Sequence, residues 1–233
     1  MLKNIIICSL LLIALVNAKD CLKEDKGFSS GVAIFSVNGV SNGQNGPATF
    51  VEFSQITIDY VGQQLFTDYW ITEDMKQFQG ALYAYNSNQT IYIVANGQCS
   101  QQPLSFDIPS GIPKNFTDIG KVKIGKFDTR GLEYNNTAQG YNSVVLYDDV
   151  KCAVVSISTE NLDLNNPGYT LANYYDFKDT PKYSDFQLPE ICYNSGSSSD
   201  AKFEIKTNTY QQQSESSAIK LPHVLDFLPK RHN

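Results

Sequence analysis

The chain's two histidines, His223 and His232, both lie beyond its last cysteine, Cys192. A Ser-His-Asp or Cys-His site would have to recruit that C-terminal stretch, and a zinc site built on imidazole meets the same obstacle. Paired carboxylates are the remaining route to hydrolysis. Glu52, Asp59, Glu133 and Asp149 are the raw material for a glycosidase, but no spacing singles out a pair. The segment 39–46 is spotted with glycine, yet it lacks both the P-loop lysine and the dinucleotide-binding spacing. Hard oxygen ligands for calcium could come from Asp148, Asp149, Glu160, Asp163 and Asp176, although no EF-hand loop is present. The residue chemistry predicts a binding protein, with no required cofactor, rather than an enzyme.

Cysteine supplies the next constraint. Residues 1–18 carry one cation at Lys3, an apolar run of about 12 residues and a Val16-Asn17-Ala18 terminus, the layout of a cleavable secretory signal. That run falls well short of the roughly 20 residues a membrane-spanning helix needs. Cleavage removes Cys8 and leaves Cys21, Cys99, Cys152 and Cys192, an even set in an oxidising compartment. Neighbouring cysteines are roughly 40 to 80 residues apart, too far for close-spaced zinc ligation, so they read as structural bridges. Three connectivities are open at this point. Sequons at Asn88, Asn115 and Asn135 fit the same route and mark expected glycosylation sites.

Charge excludes other partners. The formal net charge of −6 becomes about −7 once Lys3 is removed, and no basic cluster is evident. Nucleic acid and anionic membrane surfaces are therefore unfavoured partners. About 215 mature residues suit one all-β domain, expected over 19–195, followed by a polar tail over 196–233.

The elements that must position these residues read as strands. Segments 50–61, 81–85, 90–95, 121–127, 143–147, 151–158 and 169–177 alternate in polarity and are separated by Gly, Asn and Pro clusters. A phase change near Ser54-Gln55 predicts a bulge, and 86–89 predicts a hairpin loop. In the tail, 201–207 reads as a further strand and 221–228 as a short amphipathic helix. The expected fold is an antiparallel β-sandwich or partly open barrel. Phe66, Tyr69, Trp70, Tyr83, Tyr85 and Tyr92 cluster around the first part of the sheet and are candidate lining for a ligand pocket.

The central region resembles the ependymin-related family of secreted glycoproteins. Thr90-Ile91-Tyr92-Ile93, Cys99, Leu104-Ser105-Phe106 and Ile112-Pro113 follow that family's central run. Lys123-Ile124-Gly125, Cys152, and Phe186, Pro189 and Cys192 continue it. The resemblance covers about 45–192. It implies a fold like that of bacterial lipoprotein carriers, with a hydrophobic pocket for lipid-like molecules, calcium association and often a homodimer. It also implies the pairings Cys21–Cys152 and Cys99–Cys192. Family members often have six cysteines, so one bridge is absent here, and the family's early tryptophan has no match because Trp70 lies later.

The leading expectation is a secreted, disulfide-bonded glycoprotein that binds a hydrophobic ligand. The alternative is a calcium-dependent cell-matrix adhesion protein without a small ligand, and a carboxylate glycosidase is third. Secretion to the extracellular space is expected, with a lysosomal or other endomembrane lumen as the alternative.

Overall fold

The computed structural model describes residues 26–39, 47–111, 116–136, 140–193 and 222–227. Eleven strands form one antiparallel sheet. The first six are β1 (Gly27–Gly39), β2 (Ala48–Asp59), β3 (Gln64–Glu73), β4 (Lys76–Tyr85), β5 (Thr90–Ala95) and β6 (Gln98–Pro103). They are followed by β7 (Thr117–Ile124), β8 (Phe127–Asn136), β9 (Tyr141–Asp148), β10 (Ala153–Asn161) and β11 (Gly168–Lys178). The order β6-β5-β4-β3-β2-β1-β11-β10-β9-β8-β7 makes two meanders joined at the β1–β11 pair. The strands β6 and β7 are the two edges, so the sheet is not closed into a barrel. The mainly antiparallel β architecture expected from the sequence is present as a single open sheet.

Alternation in each strand sends one set of side chains to a common inner face. Ile56 and Ile58, Leu65 and Ile71, Leu82, and Ile91 and Ile93 enter one core cluster together with Leu132, Tyr147, Val154 and Ile157 from the other meander. Burial of one whole face needs a cover. The curl of a twisted sheet supplies part of it, and residues Leu104, Phe106, Ile108, Val224 and Leu225 supply more.

Three local readings change. In β2 the inward residues are Phe50, Ser54, Ile56, Ile58 and, among them, Glu52, while Val51 and Phe53 point outward. The pairing of β2 with β3 runs unbroken through Ser54 and Gln55, so the expected bulge is absent. The apparent phase change arose because a buried carboxylate occupies an inward position. The expected series also lacks β1, whose Gly and Ser residues weaken the strand pattern, β3 and β8, whose charged and polar residues interrupt it, and β6, which is rich in Gln. The segment 121–127 crosses the turn between β7 and β8. The loop expected at 86–89 is a 3₁₀ turn, Asn86–Asn88, with Gln89 at φ 53°.

In the tail, the short helix expected at 221–228 is a 3₁₀ turn, His223–Phe227, packed onto the sheet. The strand expected at 201–207 lies outside the described residues.

Candidate functional site

The inner face is finished differently at its two ends. Over β2–β5, Ile56, Ile58, Leu65, Ile71, Leu82 and Ile93 are 0% exposed. The C-terminal turn closes part of this region through Glu52. One carboxylate oxygen accepts from the His223 amide at 2.7 Å, and the other accepts from the Val224 amide at 3.1 Å and from Ser54 Oγ at 2.5 Å. Burial raises the Glu52 pKa above its ordinary value, against the opposing pull of Ser54, His223 and the two amides. The His223 ring stacks on Phe50 at 3.7 Å, and its Nε2 lies 3.8 Å from the Glu73 carboxylate. An acid on an aliphatic face is thus satisfied by backbone donors from the far end of the chain.

Over β8–β10 the same face stays apolar but is less sealed. Leu132, Val154 and Ile157 keep 8–9% exposure. Phe116, Tyr134 and Val145 are only partly buried, with the Phe116 and Tyr134 rings 6.0 Å apart edge to face. Beyond them the edge hairpin β7–β8 carries Ile119, Ile124 and Phe127 in the open, Phe127 at 67% exposure.

The aromatic residues singled out in the sequence do not share a cavity. Tyr69 alone points into the core. Phe66, Trp70, Tyr83, Tyr85 and Tyr92 take the opposite phase and lie on the outer face. The Phe66 and Tyr83 rings meet at 5.1 Å, and Tyr85 meets Tyr92 at 6.1 Å. The 3₁₀ turn Tyr183–Phe186 covers part of this group. Tyr85 donates its hydroxyl to the Phe186 carbonyl at 2.6 Å, and Thr57 donates to Asp185 at 2.8 Å. Burial pushes the Tyr85 hydroxyl well above the ordinary phenol range. The Cys99–Cys192 bridge ties the helical turn Glu190–Tyr193 to β6 on that side. Cys152 is also disulfide-bonded, and its partner lies outside the described residues, as does Cys21.

The acids are dispersed. Asp59 caps the amides of Val61 and Gly62, Glu133 accepts from Asn142 and Asp149 pairs with Arg130 at 3.0 Å. Asp148 caps Val150 and Lys151, and Asp163 accepts from Asn165. Glu160 and Asp176 are exposed on β10 and β11. Among the described residues, no group of three or more His, Cys, Asp or Glu is assembled to hold a metal ion. Asn88 sits exposed in the β4–β5 turn, with the Thr90 hydroxyl bonded to its carbonyl at 2.9 Å. Asn115 lies outside the described residues, and Asn135 lies on β8. The letters Gly39-Val40-Ser41-Asn42-Gly43 match the Gly-x-Ser-x-Gly pattern of a nucleophile elbow. Of these, Gly39 ends β1, and residues 40–43 lie outside the described residues.

An open antiparallel sheet, apolar on its inner face and stapled by disulfides, defines the class: an all-β, disulfide-bonded domain. Comparison with known proteins gives the family. Residues 19–224 match the model described as "Ependymin domain, amoebozoa", and the chain belongs to the ependymin family. It is 33% identical over 181 residues to an uncharacterised protein of Dictyostelium discoideum. That alignment takes in 75% of this chain and 56% of the relative, so the chain spans about half the length of the relative it matches. The family is generally extracellular, and a disulfide is compatible with that setting. Among the described residues no helix is long and apolar enough to cross a membrane.

Proposed function

We propose that the chain is a secreted glycoprotein that holds a lipid-like ligand against the inner face of β8–β10. The observation that carries this reading is the apolar wall there, which is packed less tightly than over β2–β5: Val145 is only partly buried, and Leu132, Val154 and Ile157 keep 8–9% exposure. These four residues continue the lining of the core into the second meander. An acyl chain laid on that wall removes about 25 cal/mol of unfavourable hydration for each Å² of apolar surface it covers. In this reading Cys152 pairs with Cys21, and Asn88, Asn115 and Asn135 carry glycans.

Protein secreted from a eukaryotic host and examined by native mass spectrometry tests the proposal. Retained fatty acid or phospholipid is expected at a fixed stoichiometry, and delipidated protein should rebind palmitate saturably. Protein that emerges empty and fails to bind palmitate or lysophosphatidylcholine would defeat it.

A further inference from the structure

The outer face holds a second site that the lipid reading does not use. Antiparallel register aligns Tyr175, Gly31, Gln55, Asp68, Ala81 and Val94 in one row across six strands. Small residues in that row depress the floor. Gly31 leaves room for the Tyr175 ring, which ends the row: a Cβ there would sit 2.1 Å from the ring and displace it. The neighbouring row raises a wall in which Phe53 and Trp70 stack with centroids 5.8 Å apart and planes 30° apart. Gln79 and Asn96 stand further along this wall, and the groove encloses about 580 Å³.

We propose that this groove binds a neutral glycan, with a pyranose ring stacked on Trp70 and its hydroxyls bonded to Asp68, Gln55 and Gln79. Three features select that chemistry. The half-buried Trp70 ring and the exposed Phe53 ring offer flat apolar surface to the C–H face of a sugar. Planar amide and carboxylate groups beside them match vicinal hydroxyls, which need both donors and acceptors. A few placed polar groups among aromatic walls, in a volume of several hundred Å³, is the usual composition of a small-molecule site. An acyl chain would bury Asp68 and the amides without partners, which is unfavourable for each of them. A cationic ligand would use the carboxylate but leave the amides idle. No Lys or Arg lines the groove, so an anionic ligand has no counter-charge.

Trp70 is the chain's single tryptophan, so its fluorescence reports this groove directly. The full secreted chain is titrated with cellotetraose, maltotetraose, mannotetraose and tetra-N-acetylchitotetraose, with calorimetry in parallel. At least one should bind saturably and shift Trp70 emission. Trp70→Ala and Asp68→Ala should each weaken binding about tenfold or more. Asp68→Asn, which keeps an acceptor, should stay within about threefold. Gln79→Ala, at an exposed position, gives a second loss of affinity without a folding risk. Tyr183→Ala, on the same face outside the groove, should leave affinity unchanged.

Absence of saturable binding for all four sugars would overturn the proposal. Binding that survives Trp70→Ala would too, as would a Trp70 response to tetramethylammonium or palmitate alone. Loss of binding in Asp68→Asn would point to a charge requirement and count equally against it. Palmitate binding by the inner face is read separately, so failure of either site leaves the other measurable.

Discussion

The two meanders share one sheet and one pairing rule, yet they are finished to different ends. Over β2–β5 the inner face is aliphatic, sealed and covered by a C-terminal turn held through Glu52. Its outer side is crossed by a segment stapled to β6 by Cys99–Cys192. Over β8–β10 the inner face stays largely apolar with less closure, and β7 is exposed along most of its length. The difference is between a half closed fully by its own chain and a half whose core residues are closed less completely. An apolar surface left partly open costs stability that packing would otherwise supply, and a ligand on that surface would recover it.

The largest effect should come from cutting the staple. Cys99→Ser removes a bridge that closes 93 residues and should cost about 4 kcal/mol in denaturant unfolding under non-reducing conditions. A loss below about 1 kcal/mol would mean that the closed half does not depend on it.

Truncations inside the wall compare the halves directly. Leu82→Ala, on the sealed face, should cost about 3 kcal/mol, and Val145→Ala, on the open one, about 1 kcal/mol. Equal costs would erase the distinction.

Glu52→Ala should cost about 2 kcal/mol, because it leaves two buried amides without their acceptor, and amide exchange at 223–225 should accelerate. Its pH dependence has a definite sign. Burial raises the folded-state pKa of Glu52 above its ordinary 4.5. The stability it contributes is therefore full below about pH 4.5 and is lost as pH rises through the folded value. Relative to the non-titrating Glu52→Gln, the wild-type protein should gain stability as pH falls across that window. A flat difference between the two would contradict this.

As small as the Val145→Ala effect is that of Tyr85→Phe, which deletes the hydroxyl bond to Phe186. It should cost about 1 kcal/mol, with proteolytic susceptibility rising only near 183–186.

Much of this was legible in the sequence for physical reasons. Strands with period-two patterning, the β4–β5 hairpin and antiparallel β class follow from local residue order. Other features depend on distant chain and do not. Glu52 looked like an outward or catalytic carboxylate because its partners, the amides of His223 and Val224, lie more than 170 residues away. The aromatic group shows a related ambiguity. Alternation places Phe66 and Trp70 on one face and Tyr69 on the other. Which face becomes the core, however, depends on what the sheet curls around. The groove over Gly31, Gln55, Asp68 and Ala81 required the register of five strand pairings and had no linear signature.

The central claim, a ligand on the inner face of β8–β10, is tested most directly by photo-crosslinking with a diazirine-bearing fatty acid. After digestion, labels are read by mass spectrometry. The account expects palmitate-displaceable labelling at Leu132, Tyr134, Val145 and Ile157, with none at Trp70 or Phe53. Labelling confined to the outer face, or labelling that palmitate does not displace, would contradict it.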